Sequence, residues 1–339
     1  MSLAHRAWLL GAFGLAALLA SIAVAVTIGP STVGAGEVWA VVRARLAGPP
    51  SGLTRIQEGI VWDLRLPRSL LAAACGAGLA VCGVILQSML RNPLADPFLL
   101  GVSSGASTGA VSIVVLGVGA GSIGLAGGAF IGAVGAFGLV LLLTVAAGGG
   151  TDRVILAGVA TTQLFSALTS FIVFTAADAE QTRGVLFWLL GSLASASWRD
   201  VAVVTALVAA GLVACLVWAS SLDSFTFGED AAAGLGVRVG PTRLGLLLVT
   251  ASMTAVIVST SGAIGFVGLV LPHAARFLVG PRHSRLVPVT AVVGAVFMVW
   301  VDAVARTVFA PQEVPVGVVT ALIGVPAFAL ILFRTRSTP

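Results

Sequence analysis

The 339-residue chain contains no lysine; all 18 of its basic residues are arginine. Without lysine there is no P-loop to cradle ATP, and no Schiff base to carry pyridoxal phosphate or retinal. If ATP drives this protein, another polypeptide hydrolyses it. Charge of either sign is scarce. Only 9% of residues are charged and 58% are hydrophobic, whereas soluble domains carry roughly 25% charged residues. With a mean hydropathy of +1.10, the chain cannot cover a water-facing surface. A polytopic membrane protein follows. The net charge of +5 does not indicate nucleic acid, because the arginines are scattered between apolar runs, where they serve topology and anchoring.

Residues that carry chemistry are equally few. The three cysteines lie inside apolar runs, and Cys75 and Cys82 sit about 10 Å apart by helix rise, too far for a disulfide. The thirteen acidic residues fall mostly in loops. The sequence offers no paired carboxylates, no Ser-His-Asp set and no cysteine-histidine metal spacing, so no catalytic residue, metal or cofactor is expected. Mid-helix positions are Gly, Ala, Val and Leu, which argues against a proton-coupled carrier.

What is present is a series of apolar runs near the ~20 residues that cross a bilayer as helix. Ten are expected: about Trp8–Thr27, Ser69–Met89, Leu99–Gly119, Gly121–Ala147, a fifth ending near Phe174, Val201–Ser220, Leu244–Thr260, Ala263–Val279, Leu286–Val304 and Val316–Phe333. The fold class is therefore all-α, with residues 1–339 forming one transmembrane domain. Ala23-Val24-Ala25 could imitate a signal-peptide cleavage site. The first run exceeds the roughly 7–15 residues of a signal h-region, however, and reads as an uncleaved helix. An even count puts both termini on one side. The positive-inside rule makes that side cytoplasmic, with ten arginines inside against eight outside.

Between the spans, Glu37–Leu46 presents Trp39, Val42 and Leu46 on one side, as a short helix lying in the interface would. Gly48-Pro49-Pro50-Ser51-Gly52 ends it. Ala177–Ser197 reads as a loop with a short helix bearing Trp188, and 148–153 as a flexible turn. Small residues recur every fourth position at Ala72-Gly76-Ala80, Gly101-Gly105-Gly109 and Gly124-Gly128-Gly132, a spacing that lets helix backbones approach closely. Pro272, His273 and Arg276 read as a kinked helix end with polar packing rather than a metal or haem ligand, since no second histidine stands at ligand spacing and His5 and His283 lie in flanks. Asp302 and Arg306 are spaced for an ion pair within one helix. Glu313 and, in the segment Ser221–Arg243, Glu229 and Asp230 suit helix first turns, where the dipole favours carboxylates.

The order of Arg65-Leu66-Pro67-Arg68, a glycine-alanine helix, NPLADP (92–97) and GVSSGA (101–106) resembles the permease family of iron-siderophore, haem and vitamin B12 ABC importers. GFVGLVLPHAARFLVG (265–280), DAVAR (302–306) and EVPVGVVTALIGVP (313–326) resemble the same family. The resemblance implies an inverted repeat, with helices 2–5 mirroring 7–10. It also implies a homodimer in the cytoplasmic membrane, with two ATP-binding-cassette ATPase subunits, an external binding protein and a pathway between the two copies. The implied cargo is a bulky metal chelate, first of all a ferric siderophore. Haem and cobalamin stay open, and a stand-alone secondary transporter is the rival from another class. Gly228, Glu229, Ala232, Leu235 and Gly236 match the family's coupling loop, which docks on the ATPase. Thr151 and Asp152 match its inner gate. Arg65, Arg68 and Arg306 match arginines that receive acidic residues of the binding protein. Read as the start of a helix, Arg65 and Arg68 around Pro67 face the unfavourable end of its dipole, which invites such a role; anchoring to lipid phosphate is the plain alternative.

Overall fold

A computed structural model describes residues 3–29, 31, 33–48, 51–118 and 122–335. Among them there are helices and no strands. In chain order they are α1 (Leu3–Thr27), α2 (Ala35–Ala47), α3 (Arg55–Gly59), α4 (Leu66–Met89), α5 (Val102–Leu116), α6 (Gly124–Ala146), α7 (Thr151–Ala176), α8 (Ala179–Leu189), α9 (Trp198–Val217), α10 (Ala219–Phe225), α11 (Glu229–Gly234), α12 (Val239–Ser261), α13 (Val267–Val279), α14 (His283–Ala305) and α15 (Val316–Thr335). Pro49, Pro50, Arg336 and the expected span ends at Gly119 and Gly121 lie outside the described residues.

Each of the ten expected spans is a helix: α1, α4, α5, α6, α7, α9, α12, α13, α14 and α15. Among the described residues six are long and apolar enough to cross a membrane unaided, the run Arg55–Met89 together with α6, α7, α9, α12 and α14. Helices α5 and α13 have only 15 and 13 residues, about 20 Å of rise. Non-helical backbone precedes each of them. A 3-10 turn at Pro97–Leu100 leads into α5, and 262–266 leads into α13, so the eighth span starts as helix at Val267 rather than Ala263.

The larger departure concerns α4. The helical ladder starts at Arg55, where Thr54 and Gln57 cap each other, and runs to Met89 through a π-turn at Ile60–Arg65. Pro67 has no N–H to give the ladder. The wide turn opens it there, with the Leu66 N–H reaching back to Val61. Arg65 and Arg68 therefore do not sit at a helix N-terminus, and the dipole penalty does not arise. In α2 the buried side is Val38 and Val41, packed with Val26, Val33 and Val61, and Val42 packs partly buried against them rather than facing out with Trp39 and Leu46, which stay exposed.

Helix α4 is buried along nearly its whole length and packs on α9, α12, α13 and α14. Its small residues make this possible. A Cβ on Gly76 would lie 2.1 Å from the Gly294 carbonyl oxygen, and one on Gly83 would lie 1.9 Å from that of Gly268. The other two stripes meet one another: Gly105 and Gly109 of α5 lie against Gly132 and Gly128 of α6. Their first members do other work, because Gly101 (φ 70°) and Gly124 (φ 68°) take the left-handed conformation.

The packing has the exchange that an inverted repeat requires. Helix α4 contacts α13 and α14 of the second set, while α12 contacts α5 and α6 of the first. The corners match as well. Gly101 at φ 70° precedes Val102 of α5, and Phe266 at φ 67° precedes Val267 of α13. Phe266 is a non-glycine residue in that strained region, and the repeat accounts for its being there.

Candidate functional site

Two polar clusters sit at opposite ends of α4. At the first end, Arg68 donates from Nε to Asp302 Oδ1 (2.8 Å) and from Nη1 to Glu313 (2.8 Å). Asp302 is fully buried, and its Oδ2 lies 3.2 Å from Arg306 Nε. That is close in charge but not aligned for a hydrogen bond, since Nε points to the Asp302 carbonyl (3.4 Å). Arg306 also donates to the carbonyls of Ala25 (3.2 Å) and Ile28 (3.4 Å). Arg65 donates to those of Val26 (3.0 Å) and Thr27 (3.2 Å), and to the carbonyl and hydroxyl of Ser31.

Two guanidiniums thus cap the last turn of α1, where orphan carbonyls and the negative dipole end favour cations. The three arginines named from sequence do converge, but not as free rim charges. Arg65, Arg68 and Arg306 are only 6%, 7% and 6% exposed, and each is held within the chain. The Asp302–Arg306 pair is present as expected. Glu313 differs: it is spent on Arg68 rather than on the first turn of α15.

At the other end, α11 is framed by glycines in the left-handed half of backbone space, Gly228 at φ 108° and Gly236 at φ 86°, which suit few other residues. Ala232 within it is fully buried, while Leu235 at its C-terminal cap is 69% exposed. Glu229 accepts from the Thr151 hydroxyl (2.7 Å) at the start of α7 and from Arg243 Nη1 (3.0 Å) of α12. The coupling-loop and gate residues named from separate stretches are therefore bonded to each other; Asp152 stands beside them, exposed. Arg243 was not signalled by any motif.

Nearby, Ser88, His283 and Asp223 form a chain across α4, α14 and α10. His283 Nε2 is 2.5 Å from Ser88 Oγ, and its Nδ1 is 2.6 Å from Asp223 Oδ1. A Ser-His-Asp set thus exists, although its members are 60 and 195 positions from His283 and no local pattern announces it. It is not hydrolytic. Ser88 and His283 are 4% and 1% exposed, so no substrate reaches the hydroxyl. His283 is a core residue, not a flank. Arg276 donates to Gln87 (2.7 Å), whose amide donates to the carbonyls of Gly268 and Leu269, and His273 Nδ1 lies 3.0 Å from the Leu269 carbonyl. These are polar packing contacts of α13. No group of metal-ligating side chains occurs among the described residues.

Apolar helices long enough to span a membrane, with buried polar clusters at their ends, define a multi-pass membrane protein. Residues 17–334 match the FecCD transport family, and the chain belongs to it. It is 41% identical over 306 residues to the cobalamin import system permease protein BtuC of Halobacterium salinarum, covering 90% of this chain and 81% of that one. It is 39% identical over 277 residues to the Fe(3+) dicitrate transport system permease protein FecD of Escherichia coli, covering 82% and 86%. Among solved structures, an inward-facing conformation of a transporter assigned to the metal-chelate ABC type superposes with a TM-score of 0.83. That chain is 31% identical, with 96% of this chain and 98% of the other covered.

Proposed function

We propose that this family member is the permease of a ferric-siderophore ABC importer, its 339 residues acting as one transmembrane domain in the cytoplasmic membrane with both termini cytoplasmic. Two copies work with two ATPase subunits at the Glu229 end and an external binding protein at the Arg68 end. The observation that carries the ATPase side is α11. Leu235, which caps its C-terminus, is 69% exposed, while its Glu229 is bonded to Thr151. An apolar side chain presented to solvent beside a polar anchor suits a protein partner. Changing Leu235→Asp is expected to leave membrane insertion intact and to abolish uptake while the ATPase subunits still turn over. Uptake and complex assembly at wild-type levels in that variant would remove the assignment.

The homodimer and its central pathway are supported by α7. Gln163, Ser166 and Ser170 line one exposed face of it, at i, i+3 and i+7. Polar side chains at membrane depth are costly against lipid and mark water-filled paths. Small hydroxyl and amide groups without charge suit a wall past which a large chelate slides. For the binding protein, Arg65, Arg68 and Arg306 outnumber Asp302 and Glu313. Because the guanidiniums lie just beneath the surface, they act through their field. Docking is therefore expected to tighten as ionic strength falls, measurable by titrating binding protein onto the assembled transporter.

A cobalamin cargo is the second reading, favoured by the 41% identity to a cobalamin permease. Uptake of labelled ferric siderophore and of labelled cobalamin, compared in a strain deleted for this chain, decides between them.

A further inference from the structure

The coupling segment has two attachments to the membrane domain. The first runs from Glu229 to Thr151 of α7 and Arg243 of α12. The second starts at α10, which leads into α11 through a tight turn closed by Phe227 N–H to the Ser224 carbonyl and Gly228 N–H to that of Phe225. Leu222 and Phe225 of α10 are buried in the core, so this short helix and its turn tie α11 to the packed membrane helices. From α10, Asp223 Oδ1 accepts both the backbone N–H of His283 (2.9 Å) and its ring Nδ1–H (2.6 Å). The far ring nitrogen is 2.5 Å from Ser88 Oγ. A neutral imidazole with its proton on Nδ1 satisfies this chain throughout, donating to Asp223 and accepting from the Ser88 hydroxyl.

We propose that Asp223, His283 and Ser88 are positioning residues for transport. They form a strut by which displacement of the coupling helix reaches the start of α14 and the end of α4. The geometry suits this role. The imidazole is a flat, rigid spacer with a hydrogen bond at each side, and the chain joins three helices at once. It also ends on two helices that meet backbone to backbone through Gly76 and Gly294. Anything that turns α4 and α14 together at this end turns the packed centre of the molecule. A simple capping role would need only the Asp223 bond to the His283 backbone, and it leaves the buried Ser88 contact without a purpose.

The inference rests on the importer reading given above, and the test separates the two. Wild type, Ser88→Ala, Asp223→Ala and Asp223→Asn are each assembled with the ATPase subunits in vesicles. ATP hydrolysed per ferric siderophore taken up is measured alongside the melting midpoint of each complex. Loss of one hydrogen bond to a buried group is expected to raise the ATP cost per cargo about tenfold in Ser88→Ala, with the melting midpoint and basal hydrolysis little changed. Asp223→Ala behaves likewise, whereas Asp223→Asn, whose amide oxygen still accepts both N–H groups, retains coupling. Unchanged stoichiometry in Ser88→Ala overturns the strut, and so does a loss of uptake that merely follows a fall in melting midpoint. If wild type itself shows no ATP-driven uptake of ferric siderophore, it is the functional reading that has failed.

Discussion

Replacing Asp302 with alanine is expected to prevent the chain from accumulating as a folded protein, or to lower its melting midpoint in detergent severely. Asp302 is the one fully buried carboxylate between Arg68 and Arg306, 2.8 and 3.2 Å away. Removing one partner of a buried charge pair leaves the other uncompensated, at a cost of about 3–5 kcal/mol. Here two guanidiniums are stranded, and both hold other elements in place: Arg68 the loop at Glu313, Arg306 the end of α1. Glu313→Gln is the matched control. That carboxylate is about a third exposed, where an ion pair contributes roughly 0–1 kcal/mol, and a small shift is expected. Equal effects of the two changes would mean that Asp302 is not the keystone of the cluster. The same burial rules out charge reversal of Arg68 or Arg306 as a clean probe of docking, because the new carboxylate would face Asp302 inside the protein.

The second large effect is expected at Gly83. An alanine there places its Cβ 1.9 Å from the Gly268 carbonyl oxygen, and the next nearest atoms are also Gly268 backbone. Backbone cannot rotate aside as a side chain can, so α4 and α13 must separate. Overpacking typically costs 1–3 kcal/mol, and a backbone clash belongs at or above about 3 kcal/mol. Gly135 on α6 has nothing within 4 Å of its Cβ position. Gly135→Ala is expected to be neutral, or to stabilise by up to about 1 kcal/mol through helix propensity. Melting midpoints of the two variants should move in opposite directions or differ sharply. A Gly83→Ala protein as stable as wild type would contradict the close contact.

The spans were legible because twenty-residue apolar runs leave few alternatives, and the small-residue stripes were legible because fourfold spacing is a local property of a helix. Partner choice was not. That Gly105 and Gly109 meet Gly132 and Gly128, or that Gly76 meets Gly294, depends on contacts between distant segments. The π-turn escaped for a local reason. Polar residues Asp63 and Arg65 break the apolar run, and Pro67 reads as a helix start, so the sequence pattern places no helix between Arg55 and Arg65. The arginine cluster was found by residue identity, but its burial was not, since the carbonyls that receive Arg65 and Arg306 belong to α1 and carry no side-chain signal. Glu229 and Thr151 could be named separately from short motifs. Ser88, His283 and Asp223 could not, because each is an ordinary residue until the fold brings the three together.

On this reading a separate ATPase drives transport through the chain. That is tested most directly by reconstituting the purified chain into vesicles in two forms, alone and with its ATP-binding-cassette partner and binding protein. Uptake of labelled ferric siderophore is then followed with ATP or with a proton gradient. No ATP hydrolysis and no uptake are expected from the chain alone, and ATP-dependent accumulation only when the partners are present. Accumulation by the chain alone on a proton gradient would contradict this reading and identify a stand-alone secondary transporter.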